Sequence, residues 1–497
     1  MQAKNRTRNA RAARPPGRQA SAPTVARAGA MRRDRLFVPG DRECVARFRK
    51  SCIGLRDADT RDGARRRPWR WTLNASLLLL AWCVISPTAG AQPPEETVPL
   101  AGLVAEAEGK NPEILRARHA VRAAHEVPSR AGSLPDPMIS VSLQNVPFND
   151  VALNASPMTG VLISVSQVVP FPGKLGHREA YAEATAITAE RDADLVRALI
   201  ALRVKEAYWR LSFAERAYEI SSKSERVINS IANAAIARFS VAMAPQQDAL
   251  QAEVAHSRLR ANLERRRQEI VSARRALNGA VGRAPDAAFG KTEAPPRPPP
   301  KLDFDRLSQA VARENPSVIA ARARVNAADR AIDEARKDRL PDFQLGAGYR
   351  IRAEAQGDMT HGADMFVLTL GMTLPVWLGS KQNARVRETV ERHAEAEEHV
   401  AAVELDALTQ LQQRLDTVER LEVELQLNDR EILPQANQAL DASITDYQFA
   451  RVGFVSVLSN WQTELDAELG YLRLLTERAE LLAAIEFLTV TPPGTRP

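Results

Sequence analysis

The sequence predicts a mainly helical protein with a membrane β-barrel part. Long coiled-coil-like helices are interrupted by four β-strands in two hairpins, and the order of elements occurs twice. Three observations carry this. Two stretches alternate apolar and polar residues with a period of two, the pattern of strands with one apolar and one polar face. Long runs without proline or glycine carry Ala, Leu and Val at helical spacing. Matching landmarks recur 204 to 208 residues apart.

Of 497 residues, the first 91 hold 20 Lys+Arg against 6 Asp+Glu, so the formal charge of +7 comes from the leader and residues 92–497 are net acidic. The basic stretch has neither interleaved aromatics nor a foldable apolar period, which argues against a nucleic-acid partner. All three cysteines (Cys44, Cys52, Cys83) lie in the leader, which excludes a disulfide framework or thiolate metal site downstream.

Residues 1–64 read as a disordered basic extension. Residues 65–91 read as a signal peptide: a positive run at Arg65, Arg66, Arg67 and Arg70, an apolar segment from Leu73 to Ile85, and an Ala89-Gly90-Ala91 cleavage site before Gln92. The apolar segment is too short to span a bilayer as a helix. Trp82, before Cys83, is too large for lipid-anchor processing.

Residues 92–283 form the first repeat. A helix from Leu100 to Val127 is interrupted at Asn111-Pro112, and Pro135 and Pro137 end it. Strands are expected over about 138–147 and 160–170. A helix of about 60 residues follows, roughly 90 Å long. A turn at Ala242 to Pro245 leads into a second helix reaching about Ala280. Residues 284–300 read as a Pro/Ala linker. The second repeat, 301–490, has the same order: a helix broken at Asn315-Pro316, strands over about 342–353 and 364–375, a long helix from Lys381 to Tyr447 kinked at Pro434, and a last helix from Phe454 to Leu488. Residues 491–497 read as a disordered tail. Asn111-Pro112 matches Asn315-Pro316, Leu134-Pro135-Asp136 matches Leu340-Pro341-Asp342, and Pro170 matches Pro375, which argues for structural duplication.

Helices this long cannot bury themselves in one chain, and four strands cannot close a barrel, whose working minimum is about eight. The open edges must pair between subunits, and three copies supply twelve strands. The faces of Ser140, Ser142, Gln144, Ser164, Ser166, Gln344, Arg350 and Arg352 would then line a wet lumen, and the apolar faces would meet outer-membrane lipid. The edge of a soluble β-sandwich is the competing reading; it leaves the very long flanking helices unexplained.

Several runs resemble the TolC-type outer-membrane efflux proteins, and in particular their heavy-metal-cation branch. They are Leu134-Pro-Asp-Pro-Met138, Val169-Pro-Phe-Pro-Gly-Lys174, the run from Arg238 through Gln246, Gln247 and Asp248, Ile432-Leu-Pro-Gln-Ala436, and Asp446 to Phe454. The resemblance spans about residues 95–490. It implies a homotrimer with a twelve-stranded barrel in the outer membrane of a Gram-negative bacterium and a periplasmic helical tunnel. It further implies a periplasmic adaptor and an inner-membrane RND-type transporter as partners. The family's periplasmic gate lies at the two helix–helix turns. On that pattern Gln246, Gln247, Asp248, Tyr447, Ser456 and Ser459 are the gate candidates. Ser456 and Ser459 stand where some members carry aspartates, and Ala242 and Ala450 where the turns carry glycine. Asp248 is equally readable as a first-turn helix acid.

The seven histidines are scattered with no i,i+4 pair. Met359, His361 and Met365 cluster near a loop tip, most simply as ordinary loop residues. No phosphate-binding loop, catalytic triad or zinc-hydrolase motif is present, so no enzyme activity, cofactor or bound metal is expected. The resulting expectation is a passive exit duct for heavy-metal cations. Alternatives are a duct for drug efflux or type I protein secretion, and a periplasmic coiled-coil scaffold without a pore.

Overall fold

The computed structural model describes residues 97–297 and 301–489, all within one compact unit spanning residues 87–497. The expected basic extension, signal peptide and C-terminal tail lie outside the described residues.

The helices are α1 (Leu100–Lys110), α2 (Pro112–His125), α3 (Val127–Gly132), α4 (Lys174–Ser240), α5 (Gln246–Val281), α6 (Phe304–Glu314), α7 (Pro316–Lys337), α8 (Asn383–Leu427), α9 (Leu433–Gln448) and α10 (Phe454–Thr489). The strands are β1 (Thr97–Val98), β2 (Met138–Gln144), β3 (Gly160–Val169), β4 (Lys291–Thr292), β5 (Phe343–Arg352) and β6 (Met365–Met372). The four expected strands are all present, each shorter than its expected range. The 67 residues of α4 rise about 100 Å. Among the described residues no helix is long and apolar enough to cross a membrane.

Each Asn-Pro landmark does two jobs. Asn111 caps α2 by accepting from Glu113 N–H (2.8 Å), and its amide donates to Ala280 O at the end of α5 (2.7 Å). Asn315 accepts from Ser317 N–H (2.8 Å) and donates to Leu488 O at the end of α10 (3.0 Å). Both asparagines are buried. A side chain that is both acceptor and donor satisfies a helix start and the end of a second helix at once. Proline at the first helical position loses no hydrogen bond.

Pro434 is accommodated by a π-helical turn, Asn428–Ile432, between α8 and α9. Proline has no N–H and its ring crowds the carbonyl four residues back, so the widened turn relieves both. A second π-helical turn, Leu378–Gln382, opens α8.

The Pro/Ala stretch expected as a linker over 284–300 is held in place by side chains of the helices. Its described part is fastened to α4 and α10. β4 pairs in parallel with β1. Thr292 is fully buried, and donates to the Glu215 carboxylate from both its N–H (3.1 Å) and its hydroxyl (2.8 Å). Tyr208 donates to Val98 O (2.9 Å) and accepts from Glu293 N–H (2.7 Å). Arg478, 1% exposed, donates to the Pro296 and Arg297 carbonyls and pairs with Glu422 at 2.8 Å. A Pro-rich backbone has carbonyls to satisfy and few N–H groups of its own, so donors from the helices fix it. Around this collar pack Leu103, Ile114, Ile200, Val204, Leu211 and Leu277.

The larger sheet runs in the order β2-β3-β5-β6, antiparallel throughout. The two hairpins therefore join through β3 and β5, and β2 and β6 are its outer strands. Opposite residues share a face, so the register gathers most of the apolar side chains on one side. Ile139, Val165, Ala347 and Leu368 form one row, and Val141, Ile163, Tyr349 and Phe366 the next. These side chains are exposed, with Leu368 at 75% and Leu370 at 77%. Among the described residues nothing covers this apolar face.

Candidate functional site

The candidate site is the helical tip where the two long hairpins turn. Both turns end their helices in the same way. Ala242 N–H donates to Phe239 O (2.9 Å) and Met243 N–H to Arg238 O (2.8 Å); Ala450 N–H donates to Tyr447 O (3.1 Å) and Arg451 N–H to Asp446 O (2.8 Å). This paired 5→2 and 6→1 pattern closes a helix with a left-handed residue, for which glycine is favoured. Here alanines take φ of 57° and 59°. The turns keep the geometry without the residue that suits it.

The tip is packed by Ile228, Ala235, Leu259, Leu440, Val457 and Trp461. Within it, Tyr447 lies edge-on to Phe454, ring centroids 5.8 Å apart. The Tyr447 hydroxyl donates to Asp248 Oδ2 at 3.4 Å. The structure thus brings Asp248 and Tyr447, 199 residues apart, into contact. Asp248 is also the first-turn acid of α5, whose cap is Pro245. Burial raises the Tyr447 phenol above its ordinary value, and the Asp248 carboxylate raises it further. The phenol is thereby kept as a proton donor.

Arg238, at the end of α4, was not singled out by sequence reasoning as a gate residue. Its guanidinium carbon stands 4.4 Å from the Tyr447 ring centroid. It also donates to Tyr447 O and, at 3.3 Å, to Met243 O. One planar cation therefore closes the first turn and holds the second against it. Its signal in the sequence was its place in the Arg238-Phe239 run that resembles the family's turn.

The other candidates are placed differently. Gln246 and Gln247 are exposed and line a groove of about 910 Å³ between α5 and α10, with Leu250, Val455, Trp461 and Gln462. Ser456 and Ser459 are exposed on the first turns of α10, outside that groove's lining.

In the sheet, Ser140, Ser142, Gln144, Ser164, Ser166, Gln344, Arg350 and Arg352 lie on the face opposite the apolar rows. Ser140 and Ser164 hydroxyls meet at 2.8 Å. Arg350 donates to Met158 O (2.6 Å). Arg352 is drawn into the loops at the strand ends: it pairs with Asp358 at 2.9 Å and donates to Pro157 O (2.7 Å) and Ala363 O (3.0 Å), leaving its side chain 4% exposed. Its charge is neutralised there rather than presented along the strand. Met359 and His361 are exposed in this loop, His361 3.1 Å from Glu354. Among the described residues no cluster of three His, Cys, Asp or Glu is arranged to hold a metal ion.

An amphipathic four-stranded sheet at the end of helices this long, with an exposed apolar face, defines a class: outer-membrane channel proteins with helical extensions. The chain belongs to the outer membrane efflux protein family, whose profile matches residues 103–283 and again 307–488. Solved channels share the fold. CusC aligns with a TM-score of 0.66 at 16% identity, covering 78% of this chain and 91% of that one. VceC from Vibrio cholerae aligns with a TM-score of 0.65 at 18% identity, covering 78% and 95%. In sequence the chain is 22% identical over 318 residues to the cobalt-zinc-cadmium resistance protein CzcC of Cupriavidus metallidurans, covering 63% of this chain and 73% of that protein. It is 25% identical over 253 residues to the outer membrane efflux protein BepC of Brucella suis, covering 50% and 53%. It is thus an outer-membrane efflux channel, and its family and structural neighbours are channels rather than enzymes.

Proposed function

We propose that the chain is the exit duct of a tripartite pump for heavy-metal cations, assembled as a homotrimer. The sheet carries this reading: four strands, one face apolar but for Gln167 and the other mostly polar or glycine, with each outer strand bonded to a single neighbour inside the chain. Three copies, each joining β6 to the β2 of the next, make a twelve-stranded barrel with lipid outside and a wet lumen lined by Ser140, Ser142, Gln144, Ser164, Ser166 and Gln344. The matching order of the two halves is that of a duplicated unit. The shaft of α4, α5, α8, α9 and α10 extends into the periplasm, where a periplasmic adaptor joins it to an inner-membrane RND-type transporter. Residues 65–91 direct export. The Arg238–Tyr447–Asp248 contact holds the periplasmic tip closed, and three Asp248 carboxylates around the axis favour cations. The likeness to CzcC supports metal cations as the cargo.

Purified protein is expected to run as a heat-modifiable trimer and to conduct ions in planar bilayers; a folded trimer without conductance would sink the pore. Deletion of the gene is expected to lower resistance to cobalt, zinc or cadmium and leave resistance to hydrophobic drugs unchanged. The reverse pattern would move the cargo to drugs.

A further inference from the structure

The sheet contains one complete seam between the two halves, β3 against β5. The two hairpins repeat in register: Met138 opposite Ser166 becomes Gln344 opposite Gly371, so β2 maps onto β5 by 206 residues and β3 onto β6 by 205. In the internal seam Ser164 faces Gly348 and Val165 faces Ala347. The same offsets carry these pairs to Thr369 opposite Ser142 and Leu370 opposite Val141, between the β6 of one copy and the β2 of another. Polar meets polar and apolar meets apolar, whereas a slip of one residue would cross the faces.

The internal seam is fastened at its base. Lys174 Nζ donates to Asp342 Oδ1 (2.8 Å) and to Leu340 O (2.7 Å), and Phe171 N–H donates to the same carboxylate oxygen (3.2 Å). The Lys174 side chain is 4% exposed. One helical turn later, Arg178 reaches Glu334 (4.0 Å) and Asp338 (3.6 Å).

The second half repeats this lysine–arginine spacing as Lys381 and Arg385. Arg385 reaches the same Glu334 (3.8 Å) and Asp338 (3.6 Å). The shared Lys-x-x-x-Arg spacing, set after Pro170 and Pro375, pairs Arg385 with Arg178 and Lys381 with Lys174. The strand offset carried straight on would place Gly379 there. The exit from β6, which contains the π-helical turn over Leu378–Gln382, is two residues longer and carries its lysine at 381. The counterparts of Asp342 and Leu340 are Asp136 and Leu134, in the repeated Leu-Pro-Asp run. Asp136 and Lys381 are both exposed, and among the described residues neither side chain has an ion-pair or hydrogen-bond partner. They flank the two outer strands, one at the entry to β2 and one at the exit from β6.

We propose that Lys381 of one copy binds the Asp136 carboxylate and the Leu134 carbonyl of the next, fastening the intersubunit seam as Lys174 fastens the internal one. The proposal rests on the trimer reading above. It explains why the chain carries the latch twice and occupies it only once.

The test uses the purified full-length protein in detergent. A zero-length carbodiimide is expected to join Lys381 to Asp136 in the covalent dimer band, identified by mass spectrometry of the linked peptides. Asp136→Lys and Lys381→Asp are each expected to lower the temperature at which the oligomer dissociates in dodecyl sulfate by several degrees. Combining the two is expected to recover most of that loss. Absence of the cross-link from a trimer, or a double variant no more stable than the weaker single one, overturns the proposal and leaves the trimer standing. A wild-type protein that is monomeric throughout overturns both.

Discussion

The collar around the middle of α4 and the sheet at its N-terminal end both join the first half of the chain to the second, and they do so in opposite ways. In the collar the join is made by side chains. Glu215, Thr292, Tyr208 and Arg478 satisfy buried backbone and one another, and apolar residues of both halves close over them. In the sheet the join is a backbone ladder one layer thick, and its apolar side chains point outward. A core closed on all sides is finished within one chain. A single amphipathic layer is not: among the described residues its apolar face stays uncovered and each outer strand has one unpaired edge.

The largest effect is expected at Gly282, at the end of α5 against Asn111 and Lys110. Its φ is +92°, and a Cβ there would stand 2.8 Å from Asn111 Cα and 2.9 Å from Lys110 O, both backbone atoms. Gly282→Val is expected to destabilise the protein by on the order of 4 kcal/mol, through a β-branched residue in the left-handed region and a clash that no rotamer relieves. Thermal unfolding in detergent measures it; a loss below about 1 kcal/mol would mean that the collar yields.

Next in size is a paired substitution on the two faces of β2. Val141→Arg sets a charge among the apolar rows and is expected to cost about 3 kcal/mol of folding stability in a bilayer. Ser142→Arg, one residue on and facing the other way, is expected to stay within about 0.5 kcal/mol. Reversible folding into lipid vesicles compares them. Equal costs would show that the apolar face does not meet lipid.

The smallest effect sharpens the collar's electrostatics. Arg283 hydrogen-bonds to Glu106 (2.9 Å through Nε), and with Lys110 nearby it lowers the Glu106 carboxyl from 4.5 to about 2. A carboxyl depressed in the folded state adds stability that is fully present above pH 4.5 and is lost as the pH falls through about 2. Glu106→Gln is expected to cost about 1–2 kcal/mol at neutral pH. The gap to wild type should close toward pH 2 in denaturant unfolding followed against pH. A gap independent of pH would assign the loss to packing.

Much of this organisation was legible in the sequence. Alternation in β2, β3, β5 and β6 marked both the strands and their faces, because side chains on a pleated backbone alternate regardless of what the strand pairs with. The Asn-Pro landmarks marked breaks in the helices, because proline ends the preceding hydrogen-bond ladder locally; that each asparagine also caps the next helix is seen only in the structure. The collar was not legible: a Pro/Ala run reads as a linker, and its fixing depends on donors from α4 and α10 that no local pattern connects to it. At the tip, the family resemblance points to Asp248 and Tyr447, whereas Arg238 reads in sequence only as part of a turn. Arg352 was counted with the polar face, and only the loop around Asp358 shows where its charge is neutralised.

The hairpins, the long helices and the sign of each strand face could be read from the chain alone, because all of these follow from periodicities a few residues long. That β3 pairs with β5, that among the described residues Lys174 and not Lys381 finds an aspartate, and that Arg238 bridges the two turns are settled by the fold. Those contacts join residues 168 to 209 positions apart. The packing of whole helices selects such partners, and no local spacing records it.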